Sequence, residues 1–162
     1  MKHHNPQSGF SLIDMIMGLS IIALAIVGIQ YAQRNYIELT SQVETSLRAV
    51  SLGNSVMNTI RMHAYDEGTA SPWSSTIGPD AGESTITDYD DIDDYAAAAW
   101  DFSNDGYSGF NVISQVFYVQ VPSNWLDSLG TRTNYKRIIV TVNHSALNTP
   151  VVFTSIMAGV DR

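Results

Sequence analysis

The chain has 162 residues, a formal net charge of −8 and no cysteine. Its eight Lys and Arg residues are scattered, which argues against a surface that neutralises nucleic-acid phosphates, so no nucleic-acid partner is expected. The lack of cysteine excludes disulfides, thiolate zinc sites and cysteine nucleophiles, and the length fits one membrane segment with one modest globular head.

The first predicted element is a membrane-spanning helix over residues 10–30. No side chain from Met15 to Ile29 is charged. A helix from Phe10 to Ile29 would be about 30 Å long, the thickness of a hydrocarbon core. The nine residues before Phe10 include one Lys and two His, a weak signal that this end faces the cytoplasm. We therefore expect a single pass through the inner membrane, with the head in the periplasm.

One carboxylate, Asp14, lies within this apolar run. A charge at membrane depth costs roughly 2.5–3.5 kcal/mol on insertion scales, and such residues usually mark a partner. If the chain were cut between Gly9 and Phe10, the new α-amine would lie about 6 Å along the helix axis from Asp14 and would supply a cation. A secretory signal cleaved after Ala25 and an uncleaved signal anchor are the alternatives.

The residues Gly9-Phe10-Ser11-Leu12-Ile13-Asp14, with a short leader before them and a long apolar helix after them, resemble the N-terminal signal of type IV pilins and type II secretion pseudopilins. The resemblance implies that a prepilin peptidase removes leader 1–9 by cutting after Gly9, and that Phe10 becomes N-methylated. It also implies an assembly role for Asp14, which stands where the family usually has a glutamate that meets the N-terminal amine of a neighbouring subunit.

The helix is predicted to continue from the membrane to about His63, because no proline lies between Pro6 and Pro72. Gly53 is expected to be a weak point in it. In the outer part, residues 31–64, apolar residues recur at steps of mostly three and four and predict the face that packs on the head. These residues are Ile37, Val43, Leu47, Val50, Met57, Ile60 and Ala64.

Residues 65–162 are predicted to form the head. A loop rich in Gly, Ser, Thr, Pro and Asp covers Tyr65–Asp94, with a short strand at Ser84–Thr87. After it, alternation of apolar and polar residues predicts three strands, at Val112–Val121, Lys136–His144 and Val151–Ala158.

The two links between these strands differ in length. PSNWLDSLGTRTN is predicted to be a long hairpin loop, and the short SALNT should join an antiparallel pair. The sequence therefore predicts an α+β fold, in which an antiparallel sheet packs on the outer half of a long helix. The pilin resemblance implies the same arrangement.

Acidic residues crowd into DYDDIDDY, here called the acidic segment (Asp88–Tyr95). In the following DFSNDGY, Asp101, Ser103, Asp105 and the Tyr107 carbonyl are spaced like the first ligands of an EF-hand loop. The twelfth position is Val112 and not the usual glutamate, so acids of the acidic segment would have to complete a calcium site. These acids are Asp90, Asp91, Asp93 and Asp94. Alternatively, all of these residues are solvated turn residues.

No histidine pair or nucleophile elbow is found, so the chain is not expected to be an enzyme, and calcium is the one candidate cofactor. The acidic segment and the pair YKRIIVTV and PVVFTSI are similar to minor pilins of the mannose-sensitive haemagglutinin pilus. The resemblance implies a minor pilin that supports adhesion or filament initiation. Its partners would be prepilin peptidase, other pilin subunits, inner-membrane lipids and the pilus assembly platform. A type II secretion pseudopilin and a calcium-dependent adhesive head on a membrane anchor remain as alternatives.

Overall fold

The computed structural model describes residues 11–161. One long helix, α1, precedes a five-stranded sheet whose named strands all pair antiparallel, which confirms the predicted α+β layout. The elements in chain order are α1 (Leu12–Arg61), β1 (Ala99–Trp100), a 3₁₀ turn (Ser103–Asp105), β2 (Asn111–Gln120), β3 (Asn124–Leu129), β4 (Tyr135–Asn143) and β5 (Val151–Ala158).

The sheet has the strand order β1-β2-β4-β5, and β3 pairs with the C-terminal half of β2. Strands β2 and β4 form its centre, with Val112 opposite Val142 and Val116 opposite Ile138. These four side chains are buried, and so is Val140, as the predicted alternation along β4 requires. One face of the sheet therefore carries the hydrophobic core.

Helix α1 has 50 residues, and its ends lie within two residues of the prediction. The part up to Ser41 forms a unit of its own, and nearly all of its side chains are exposed. From Gln42 onward the helix belongs to the compact head. Its buried residues there are Ala49, Leu52, Gly53, Val56, Met57 and Ile60.

This buried face agrees with only part of the predicted stripe. Met57 and Ile60 are buried, whereas Ile37, Val43, Leu47 and Val50 are exposed, and the prediction for those four was wrong. Each residue advances about 100° around a helix, so the face through Ala49 and Val56 lies one position away from the stripe through Val43 and Val50. Periodicity alone does not select between two adjacent apolar stripes.

Gly53 is more than a weak point in the helix. It is buried, and a Cβ added to it would overlap the ring of Phe153 on β5. The absence of a side chain lets the helix backbone approach the sheet closely at this position.

The three strands predicted from alternation are confirmed to within one residue at each end. The predicted loop PSNWLDSLGTRTN is wrong, because Asn124–Leu129 in it forms β3. Most β3 side chains are exposed, including Trp125 and Leu126. An edge strand without a buried face has no apolar alternation to reveal it.

The short strand predicted at Ser84–Thr87 is also wrong, because the segment forms a turn. The Asp88 carboxylate accepts hydrogen bonds from the backbone N–H groups of Ser84 and Thr85, at 3.3 and 3.0 Å, and from the Thr85 hydroxyl at 2.8 Å. Aspartate that binds nearby backbone in this way favours a turn over a strand.

Candidate functional site

The N-terminal part of α1 is the candidate membrane span. It is the one helix among the described residues that is long and apolar enough to cross a membrane, and its most apolar window is entirely unburied within the chain. This is consistent with single-pass anchoring. Gly9 and Phe10, the predicted processing residues, lie outside the described residues.

Asp14 helps to begin the helix. Its carboxylate accepts a hydrogen bond from the Ser11 backbone N–H at 3.2 Å, and the Ser11 hydroxyl accepts a long one, 3.4 Å, from the Ile13 N–H. This reciprocal arrangement is a variant of the capping box, in which the hydroxyl accepts from the second helical N–H and not from the third, and a carboxylate in the first turn is also favoured by the helix dipole. The sequence analysis missed this role, although Ser-x-x-Asp before an apolar run is its signature.

A buried lysine lies at the centre of the head. The Lys136 ammonium donates hydrogen bonds to Asp93 Oδ1 at 2.6 Å, to Asp66 Oδ2 at 3.0 Å and to the Tyr65 carbonyl at 2.7 Å. Its side chain has no exposed surface, and those of both aspartates are almost fully buried. All three ammonium protons are thus used, and the buried positive charge has two carboxylate partners.

Two aromatic rings complete the lysine pocket. The Lys136 nitrogen lies 4.5 Å from the centre of the Tyr65 ring and 5.4 Å from that of Tyr118, within the range of cation–π attraction. Burial, and then neighbouring charged groups, raise the pKa of both tyrosines above the usual value. For Asp66, burial opposes ionisation, but hydrogen bonds from the Ser74 backbone and from Lys136 outweigh it and lower the pKa.

The sequence analysis did not identify this ion-pair network. Lys136 shares the phase of Ile138 and Val140 on β4, so the alternation already placed it on the buried face. That phase was the available signal. Its partner Asp93 is 43 residues away in the chain, and no local pattern connects the two.

The acids of the acidic segment fall into two classes. Asp91, Asp93 and Asp94 are buried, so their interpretation as solvated turn residues was wrong. Asp88 and Asp90 are exposed. Burial is possible because the segment pairs with the residues just after α1. Ile92 N–H donates to the Ala64 carbonyl at 3.0 Å, and Ala64 forms a β-bridge with Asp91.

Each of two buried aspartates has one oxygen engaged and one free. Asp91 Oδ1 accepts from the N–H groups of Asp93 and Asp94, at 2.8 and 3.4 Å, and Asp94 Oδ2 from those of Asp90 and Asp91, at 3.1 and 3.0 Å. Asp91 Oδ2 and Asp94 Oδ1 are buried and have no hydrogen-bond partner among the described residues. Burial, followed by the neighbouring Asp93 carboxyl, raises the pKa of Asp91 to about 10.

Among residues 11–161, three groups of carboxylates have oxygens within 4.8 Å of one another: Asp66 with Asp91 and Asp93, Glu67 with Asp91 and Asp94, and Glu83 with Asp90 and Asp94. Oxygen-only ligand sets of this kind suit hard cations such as Ca²⁺. Neither Asp101 nor Asp105 belongs to such a group within the described chain.

The Asp101–Asp105 loop is a small exposed turn. Asp101 Oδ1 accepts the Ser103 N–H at 2.9 Å, and Gly106 ends the 3₁₀ turn with φ of 84°. Asp101, Ser103 and Asp105 are all exposed. The structure therefore does not bring Asp101 and Asp105 together with the acidic segment, as the predicted combined calcium site requires.

Both described histidines make structural contacts. His63 Nε2 shares a hydrogen bond of 2.9 Å with the Tyr95 hydroxyl. The His144 ring packs on Phe110, and its Nδ1 accepts from the Ala146 N–H at 3.1 Å, just after the end of β4.

A comparison of the chain with protein-family models, with curated proteins and with solved structures found no match. Functional assignment therefore relies on the residues themselves and on the geometry described above.

Proposed function

We propose that this chain is a minor subunit of a type IV filament, held in the inner membrane by the first half of α1 and then built into the filament through that same half. The observation that carries the proposal is the division of α1. One continuous helix has an apolar part that its own chain leaves uncovered and a second part that supplies the core of the head. A helix that served the head alone would bury its apolar residues there.

Apolar exposure beyond the membrane length supports assembly over simple anchoring. Leu12 to Gln30 already covers about 28 Å, close to the thickness of a hydrocarbon core. Ile37, Val43 and Leu47 follow and are 66%, 53% and 65% exposed. Helices of neighbouring subunits would cover these side chains in a filament, whereas lipid would not reach them.

The span itself has the composition of a helix that packs on other helices. Small residues occur at several positions along it and let helix backbones approach, which is the main source of helix association in lipid. They are Gly18, Ser20, Ala23, Ala25 and Gly28. Apart from the adjoining helix backbone, no atom of residues 11–161 lies within 4 Å of a Cβ placed at Gly18 or Gly28.

Asp14 would direct the assembly. Cleavage after Gly9 creates an amine at Phe10, and the amine of a neighbouring subunit would pair with the Asp14 carboxylate. An unpaired charge among packed helices is costly, so this pair would select one axial stagger. Because Asp14 also accepts from the Ser11 N–H, its carboxylate is already held at the helix start.

The narrower assignment, to a pilus like the mannose-sensitive haemagglutinin pilus, rests on the acidic segment and on YKRIIVTV. These two motifs meet through the contact between Asp93 and Lys136. In such a pilus the subunit would support adhesion or filament initiation. A type II secretion pseudopilin would use the same helix, and loss of secreted enzymes on gene deletion, with surface filaments intact, would indicate it.

The test is to shear filaments from cells and to probe that fraction for the head by immunoblot. We expect the wild-type chain there, and a Gly9→Val variant only in the inner membrane, because a β-branched residue replaces the glycine at the cleavage position. Asp101→Asn, an exposed change in the head, is the matched control and should reach the filaments. The proposal would be contradicted if the wild-type chain were absent from the filaments. It would also be contradicted if the Gly9→Val variant entered the filaments as well as the wild type.

A further inference from the structure

We propose that Glu67, Asp91 and Asp94 form a calcium site that joins the segment after α1 to the acidic segment. Their oxygens lie within 4.8 Å of one another. Asp91 and Asp94 have no exposed surface, and Glu67 lies at the exposed side. The ion would therefore be bound at the edge of the head core, with one ligand accessible from solvent.

The hydrogen bonds within the acidic segment leave one oxygen of each buried aspartate for a metal. Backbone N–H groups hold Asp91 Oδ1 and Asp94 Oδ2 and so fix both side chains. Asp91 Oδ2 and Asp94 Oδ1 are buried and accept no hydrogen bond from the described chain. A buried acceptor without a partner costs free energy, and a cation would satisfy both of these oxygens together.

The Glu67–Asp91–Asp94 group and the neighbouring Asp66–Asp91–Asp93 group differ in the cations that lie beside them. Asp66 and Asp93 already share the Lys136 ammonium, which stands where a cation would otherwise be needed. Within the described chain no Lys or Arg forms an ion pair with Glu67, Asp91 or Asp94. Asp91 and Asp94 are thus buried carboxyl groups that have both a free oxygen and no cationic partner among the described residues.

The ligand chemistry favours Ca²⁺ over other ions. The group offers carboxylates only, without imidazole or thiolate, which disfavours zinc and copper. Ca²⁺ accepts a cage of many carboxylate oxygens at about 2.3–2.6 Å, whereas Mg²⁺ usually retains most of its water. Glu83 and Asp90 form a separate group of the same kind with Asp94.

Such an ion would stabilise the connection between helix and sheet. The two segments already touch through the Ala64–Asp91 bridge. Calcium would add ligands from both sides of that bridge, since Glu67 comes from the segment after the helix and Asp91 and Asp94 from the acidic segment. This site differs from the EF-hand-like loop of the sequence analysis, because neither Asp101 nor Asp105 takes part.

The full-length protein in detergent micelles is first treated with EDTA and dialysed. Calcium is then titrated into it, and the heat of binding and the melting temperature of the head are measured. We expect one Ca²⁺ per chain, with a dissociation constant on the order of 10⁻⁴ M or tighter and a rise in melting temperature. Glu67→Gln changes an exposed residue and should weaken binding at least about tenfold. Asp94→Asn should weaken it further, and Asp101→Asn should leave it unchanged.

Several results would overturn the inference. One is a wild-type protein that shows neither heat nor a melting shift at millimolar Ca²⁺. A second is a folded Glu67→Gln variant that binds Ca²⁺ as tightly as the wild type. This result decides the question even if Asp94→Asn does not fold. Loss of binding in Asp101→Asn would place the ion in the exposed turn, and equal affinity for Mg²⁺ would remove the assignment to calcium.

Discussion

The Lys136 Nζ lies 2.6 Å from Asp93 Oδ1 in the interior of the head, and the lysine side chain has no exposed surface. This contact connects the central strand β4 to the acidic segment. Asp66, in the segment that follows α1, is the second partner of the same ammonium at 3.0 Å. The segment after α1, the acidic segment and the sheet are therefore held together by one buried cation.

Replacing Lys136 with methionine should destabilise the head strongly, because Asp66 and Asp93 would remain buried and unpaired. Breaking a buried ion pair from one side costs about 3–5 kcal/mol. The measurement is the free energy of unfolding in denaturant. Tryptophan fluorescence of the full-length protein in detergent monitors the unfolding. The matched control is Arg48→Met, which breaks an exposed pair with Glu44 and should cost only about 0.3–0.5 kcal/mol. A Lys136→Met loss no larger than that of Arg48→Met would refute the network.

The stability of the head should fall at acidic pH through Asp66. Its folded pKa is lower than the usual pKa of an aspartate, because hydrogen bonds from the Ser74 backbone and from Lys136 outweigh the opposing effect of burial. Its contribution is therefore fully present above the unfolded pKa and is lost as pH falls through the folded pKa. Unfolding free energies from pH 6 downward should decline less steeply in Asp66→Asn than in the wild type. Parallel curves would show that Asp66 makes no contribution of this kind.

Gly53→Ala should destabilise the head, although alanine is about 1 kcal/mol more favourable than glycine within a helix. The added Cβ would overlap the Phe153 ring, and overpacking of a core costs about 1–3 kcal/mol. A Gly53→Ala/Phe153→Leu double variant should recover part of the loss, because it removes the overlapping ring. Gly28→Ala is the control, because its added Cβ would contact no described residue outside the adjoining helix backbone, and it should leave the melting temperature of the head unchanged. A Gly53→Ala protein more stable than wild type would contradict the close contact.

Hydrophobic periodicity predicted the elements that have one buried face. It gave the positions of β2, β4 and β5, because burial on one side leaves a period in the sequence. The length of α1 was predicted instead from the apolar run of the membrane segment and from the absence of proline between Pro6 and Pro72. Strand β3 was missed since most of its side chains are exposed, and the buried helix stripe was misplaced by one position. Lys136 was missed because a charged residue was not expected on a buried face, and its partners come from distant parts of the chain.

Asp14→Asn should separate the two roles of Asp14. Asparagine keeps an oxygen that can accept the Ser11 N–H, so the helix start should survive, but the negative charge is lost. We expect normal cleavage of the leader and at least a tenfold loss of the subunit from sheared filaments, a loss of roughly 1.4 kcal/mol or more in assembly free energy. Ser11→Ala removes the hydroxyl cap but keeps the charge, so it should still assemble. If Asp14→Asn assembles as well as the wild type, the carboxylate has no pairing role.

The central claim is that maturation creates an amine at the start of α1 for a carboxylate within the membrane. The most direct measurement is mass spectrometry of the intact mature protein, with sequencing of its N-terminal peptide. The account predicts a chain that begins at N-methylated Phe10. A chain that retains residues 1–9, or one that begins at Ile26 after a cut behind Ala25, would contradict it.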